Sequence, residues 1–116
     1  MSGTFVKADL DLKPHDWDEV RRILEKSLPG YEVWAFGSRA KWTAKPYSDL
    51  DLAVISDRPL PIDLMADLRQ SFEDSDLTIK VDVVDWATTS PAFRKIIEES
   101  KVVVKQGVTR LDAKKP

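Results

Sequence analysis

The chain has no cysteine, so neither disulfides nor thiolate metal sites are available to it, and a reducing compartment suits it. It has no apolar run long enough to span a bilayer. Its first residues, with Lys7, Asp9 and Asp11 among the apolar ones, lack the shape of a secretory signal. The expected setting is therefore the cytoplasm, reached by default. Neither sign of charge dominates: a net charge of -2 gives no general pull toward nucleic acid or membrane. There is no internal repeat and no low-complexity linker. What remains is an ordinary globule of 116 residues, 42% hydrophobic and 33% charged. That is enough for one core, with little room for a second lobe.

Hydrophobic periodicity divides the chain into alternating elements. Residues 1–14 carry only a weak extended pattern. From His15 to Leu28, Trp17, Val20, Ile23, Leu24 and Leu28 recur at three- and four-residue steps, which predicts a helix. Asp16 or Asp18 favours its start, and Pro29-Gly30 stops it. Tyr31–Phe36 reads as a strand and Leu50–Ile55 as a second, with a helical turn and a polar loop containing Pro46 between them. Pro61 suits the first turn of a helix that turns Leu64, Met65, Leu68 and Phe72 inward. Ile79–Val84 alternates as a third strand, with Val81 and Val83 on one face and Lys80, Asp82 and Val84 on the other. Thr88-Thr89-Ser90-Pro91 is a helix-start signal ahead of Phe93, Ile96 and Ile97. Val102–Val104 is either a last short strand or the end of that helix. The charged stretch after Gln106 reads as a frayed tail, so a domain over residues 1–106 is expected, with 107–116 outside it.

The richest signal is Gly37-Ser38, ten intervening residues, then Asp49-Leu50-Asp51. A tight turn ends one strand, and two aspartates open the next. Side chains at i and i+2 of a strand share a face, so the two carboxylates repel unless a cation lies between them. Hard divalent cations with carboxylate and phosphate ligands answer that need. Asp82 stands mid-strand among valines, where a charge is costly unless paired. Asp49, Asp51 and Asp82 together can hold two magnesium ions about 3.5–4 Å apart. One would lower the pKa of an acceptor hydroxyl, and the other would hold a triphosphate and its leaving group. Backbone N–H groups of Gly37 and Ser38 would bind phosphate oxygens. Glycine is required there because a side chain would block the approach.

Each part is commonplace by itself. A Gly-Ser turn, an Asp-x-Asp strand edge, or an exposed strand aspartate beside Lys80 would say little. In this order and at this spacing they point to metal-dependent phosphoryl or nucleotidyl transfer. Arg39 follows the turn and reads equally as a phosphate ligand or as a solvated arginine on a helix face. Lys41 and Lys45 carry the same ambiguity. The lone His15, beside Asp16, reads as a surface residue. Trp17 and Trp34 fall on core-facing positions.

These residues carry a family resemblance. Trp34-Ala35-Phe36-Gly37-Ser38-Arg39-Ala40, Tyr47-Ser48-Asp49-Leu50-Asp51-Leu52-Ala53-Val54 and Val81-Asp82-Val83-Val84-Asp85 together resemble the DNA polymerase β-like nucleotidyltransferases. The likeness is to the minimal nucleotidyltransferase branch and covers most of the chain. It implies an α/β (α+β) fold, a mixed sheet flanked by helices, with Asp49 and Asp51 as metal ligands. Asp82 would be the third carboxylate, assisting deprotonation of the acceptor. Asp85 competes for that role but cannot share a sheet face with Asp82 in a regular strand, and suits a cap at Trp86. The family often has glycine where Trp42 stands. A tryptophan adopts a left-handed backbone only at a cost, so either the loop differs here or Trp42 has a task. That task would be stacking on a base, contacting a partner or packing on the protein's own surface.

With the chain spent on the catalytic core, the acceptor site must come from another chain or from a second copy. The resemblance implies the former: a helical HEPN-domain partner in a toxin–antitoxin pair, with AMP transferred to it from ATP. The alternatives are nucleotidyl transfer to a small molecule such as an aminoglycoside, and a nucleotide-binding antitoxin or sensor with little turnover.

Overall fold

The computed structural model describes residues 9–107 together with the backbone of Thr4–Phe5. Its strands are β1 (Thr4–Phe5), β2 (Glu32–Phe36), β3 (Leu50–Ile55), β4 (Val81–Asp85) and β5 (Val102–Gln106). Its helices are α1 (Pro14–Ser27), α2 (Ser38–Lys41), α3 (Ile62–Glu73) and α4 (Pro91–Ser100), with a 3-10 turn at Trp86–Thr88. The sheet order is β1-β5-β2-β3-β4. β3 and β4 are parallel and joined across α3, and the other neighbours are antiparallel. This is the expected mixed sheet. Val102–Val104, open between strand and helix end, belongs to a strand, and that strand lies inside the sheet between β1 and β2. The residues from 108 onward, including the frayed tail expected from sequence, lie outside the described residues.

Strand alternation sorts the side chains into two cores. Val33 and Ala35 of β2, Leu50, Leu52 and Val54 of β3, and Val83 of β4 face Val20, Ile23 and Leu24 of α1 and Leu68 and Phe72 of α3. Trp34, Phe36, Ala53 and Ile55 face the other way, onto Ile97 and Phe93 of α4. There Trp34 meets Trp86 edge-on with ring centroids 5.1 Å apart, and Phe36 meets Phe93 at 5.8 Å. Such aromatic pairs add about 0.5–1.5 kcal/mol each beyond the area they bury. Asp51 shares the α4 face of β3 with Ala53 and Ile55 by the same alternation.

The helix ends depart from expectation in instructive ways. Lys13 is the N-cap of α1 and offers no side-chain bond, with Pro14 starting the helix. Asp16 is instead buried and accepts from both the backbone N–H and the hydroxyl of Thr78, tying α1 to the segment that leads into β4. Pro61 is the N-cap of α3, one place earlier than its expected first turn. Ser90 caps α4 as its signal indicated, accepting from Phe93 N–H. The largest surprise is Lys105, fully buried in β5. Its ammonium donates to the carbonyls of Leu28 (2.8 Å) and Tyr31 (2.9 Å), just past the end of α1. Burial lowers its pKa, against a smaller opposing pull from Glu25. Among the described residues no helix is long and apolar enough to cross a membrane.

Candidate active site

Three elements meet at one end of the sheet's α4 face. β2 ends at Phe36, and Gly37 turns the chain with φ 80° and ψ -156°, a conformation open to glycine and strained for other residues. Space imposes a second demand: a Cβ at Gly37 would lie 2.5 Å from Oδ2 of Asp51. The glycine predicted for close approach to phosphate thus first makes room for a carboxylate. Phe36 is the register partner of Asp51 on one side, and Asp82 is its partner on the other. Asp49 lies two residues ahead, just before β3. The structure therefore brings the three predicted carboxylates to one neighbourhood, with Asp49 and Asp82 exposed and Asp51 half-buried.

The electrostatics follow from that crowding. Burial raises the Asp51 pKa from an ordinary 3.8 to about 6, with further upward pushes from Asp82 and then Asp49. Among the described residues no lysine or arginine pairs with any of the three. Nor do three carboxylates there already converge as a preformed cage. The donors fit magnesium in kind, hard oxygen ligands with uncompensated negative charge, and a cation would draw them together. Asp85 takes the role its parity indicated. Its carboxylate accepts from Ala87 N–H and from Leu60 N–H, capping the 3-10 turn on the far side of β4 from Asp82.

The turn itself is wired differently from expectation. The Gly37 N–H donates to Ser100 Oγ at 3.1 Å, at the C-terminal end of α4. Ser38 N–H and its hydroxyl make no hydrogen bond among the described residues, so they are donors the turn leaves available. Arg39 corrects both of its readings. Neither solvated nor turned to a phosphate, it is 6% exposed and bonded to four backbone carbonyls. Trp42 takes the costly backbone itself. It holds φ 61° and ψ 34°, the left-handed conformation that glycine would take freely. Its ring is 56% exposed, and its Nε1 donates to Asp9. Beside Asp82, though not Asp49 or Asp51, a groove of about 460 Å³ runs along the outer edge of β4, walled by Phe72, Leu77, Ile79, Lys80 and Asp82. Arg69 covers part of that edge by donating to Val83 O.

The geometry has a match among known families. The polymerase beta nucleotidyltransferase family model matches residues 18–107. The chain belongs to that family. A relative from Haemophilus influenzae, named a probable protein adenylyltransferase MntA, is 50% identical over 99 residues, which is 85% of this chain and 87% of the relative. Two solved structures share the fold. A toxin–antitoxin crystal structure with AMP-PNP superposes with TM-score 0.61 at 24% identity, covering 84% of this chain and 78% of that one. A tri-AMPylated Shewanella oneidensis HEPN toxin in complex with MNT antitoxin gives TM-score 0.60 at 19% identity, over 88% and 78%. The resemblance drawn from the Gly-Ser and Asp-x-Asp residues is borne out, as is the fold.

Reading the residues missed two parts of the neighbourhood and one buried charge away from it. Ser100 lies 63 positions from Gly37, and nothing in a Glu-Glu-Ser-Lys helix end marks it. The acceptors of Arg39 are main-chain carbonyls, which leave no sequence trace. The buried lysine in β5 had a faint signal, a single cation closing a run of three valines.

Proposed function

We propose that this chain transfers AMP from ATP, with magnesium, onto a hydroxyl of a helical HEPN-type partner protein. The observation that carries the reading is Asp51 placed against both Gly37 and Asp82. The proposed phosphate-binding turn and acceptor-side carboxylate thereby flank one carboxylate that has no cationic partner among the described residues. The adenylyltransferase name of the Haemophilus relative supports a protein acceptor, and the HEPN toxin complex supports the class of partner.

In this reading Asp49, Asp51 and Asp82 hold the metal. When bound, magnesium supplies charge neutralisation at the phosphates and acidifies the acceptor hydroxyl. The chain's own groups do the rest. Ser38 N–H and Oγ donate to phosphate oxygens and orient the triphosphate. The acceptor oxygen attacks the α-phosphorus, the bond from that phosphorus to the bridging oxygen breaks, and pyrophosphate leaves. The proton of the hydroxyl passes to the Asp82 carboxylate. The groove along β4 gives the acceptor a route to Asp82. The setting is the cytoplasm, where ATP and a second protein are at hand.

The test is incubation with α-labelled ATP, magnesium and a HEPN-domain protein, reading label on protein. Label on the partner that is lost with Asp51→Asn supports the proposal. Metal-dependent ATP binding without label on protein would move the assignment to a small-molecule acceptor or a nucleotide sensor.

A further inference from the structure

Arg39 makes four side-chain hydrogen bonds next to the turn, and phosphate binding does not explain them. Its Nε donates to Ser48 O (3.0 Å), its Nη1 to Asp11 O (2.8 Å), and its Nη2 to Lys45 O (3.3 Å) and Pro46 O (3.1 Å). A guanidinium has five N–H donors, so these bonds leave no fork for a phosphate. The main chain reciprocates, with Asp11 N–H donating to Arg39 O at 2.9 Å. The bonded segments matter. Arg39 directly follows Ser38 of the turn, and its acceptors at 45, 46 and 48 directly precede Asp49. Between them runs the loop holding Trp42 in its left-handed conformation. The loop's far end has two further internal bonds, from Lys45 N–H to Ser48 Oγ at 2.9 Å and from Ser48 N–H to Lys45 O at 3.0 Å.

We infer that Arg39 is a positioning residue, a buried clasp that closes the loop between Ser38 and Asp49 and so sets where Asp49 stands relative to the turn. The inference rests on the reading of Asp49 as a metal ligand. A carboxylate at the mouth of a strand, reached through a loop with an exposed tryptophan, has no regular structure before it to fix its direction. The guanidinium supplies that order through bonds a lysine ammonium cannot reproduce, because they diverge in one plane toward two segments, at Asp11 and at 45–48. Groups that orient ligating carboxylates commonly influence metal affinity by about 10- to 100-fold.

The test measures Mn2+ binding to the purified chain without nucleotide, by electron paramagnetic resonance, for wild type, Arg39→Ala and Arg39→Lys. Metal-free ATP binding is measured alongside, and circular dichroism checks the fold. The clasp predicts an affinity for Mn2+ lower by about 10- to 100-fold in both variants, with metal-free ATP binding unchanged. Wild-type Mn2+ affinity in Arg39→Ala, with ATP binding lost, would restore a phosphate-binding role and overturn the inference. So would rescue by Arg39→Lys. If the arginine variants do not fold, Ser48→Ala carries the test, since it removes only the Oγ acceptor of Lys45 N–H. A smaller loss of Mn2+ affinity is expected there, and no loss overturns the inference. A wild-type chain that binds no Mn2+ while Asp51→Asn is equally inert instead removes the metal-site reading itself.

Discussion

Replacing Asp51 by asparagine should make the metal-free protein more stable while disabling it. The Asp51 carboxylate accepts no hydrogen bond among the described residues, so the variant forfeits none. It removes a half-buried charge that burial, Asp82 and Asp49 all disfavour, moving the pKa from 3.8 to about 6. The direction with pH follows from proton counting. Between about pH 4 and pH 6 the folded chain holds more protons on Asp51 than the unfolded chain does. Stability from this group is therefore full below pH 4 and falls as pH rises through 6. The displacement corresponds to about 3 kcal/mol at most. Asp51 is open enough to water for screening to reduce this to about 1 kcal/mol. For a domain of this size that is a rise of roughly 3–5 °C in Tm for Asp51→Asn at pH 7.5, vanishing at pH 4. Magnesium at millimolar concentration should raise the wild-type Tm and leave the variant unmoved, because only the wild type gains by binding. Thermal melts of both proteins at both pH values, with and without magnesium, decide the matter. A variant less stable than wild type at pH 7.5, or a difference that does not change with pH, would refute the reasoning.

Four other outcomes are expected. Gly37→Ala should destabilise the fold by about 2 kcal/mol in denaturant titration, from positive φ and the clash with Asp51, and should abolish nucleotide binding. Trp42→Gly should raise stability by about 1 kcal/mol, since glycine takes φ 61° without strain and only an exposed bond to Asp9 is lost; a drop in Cm would count against it. Lys105→Met should cost about 2–3 kcal/mol by chemical denaturation, because the Leu28 and Tyr31 carbonyls lose their buried donor. Asp82→Asn should slow AMP transfer by about 100-fold in the labelling assay, as loss of a general base commonly does.

The elements were legible where one periodicity ran unopposed. Val20, Ile23 and Leu24 on a 3.6-residue stripe, and Val81 and Val83 alternating with Asp82, could satisfy their burial in only one way. The predicted strand at Ile79–Val84 starts at Val81, because Thr78 ahead of it is held to Asp16 instead of pairing in the sheet. The Asp49, Asp51 and Asp82 set was legible because charge inside an apolar strand pattern is anomalous whatever the fold. Arg39 misled because an arginine beside a phosphate turn looks the same in sequence whether its partner is a ligand or a main-chain carbonyl.

The sequence by itself determined which residues are charged against the grain of their elements and the parity that puts Asp82 on the strand face opposite Val81 and Val83. Both are local properties, fixed by the two-residue repeat of a strand. Tertiary structure decided the pairings that cross the chain. It set Asp51 opposite Asp82 in parallel register, pressed Asp51 into the space Gly37 leaves, and gave Gly37 N–H to Ser100. It also slid β5 between β1 and β2, so that Lys105 reaches the end of α1. Those outcomes depend on which strand lies beside which, and side-chain periodicity is the same for every neighbour a strand might have.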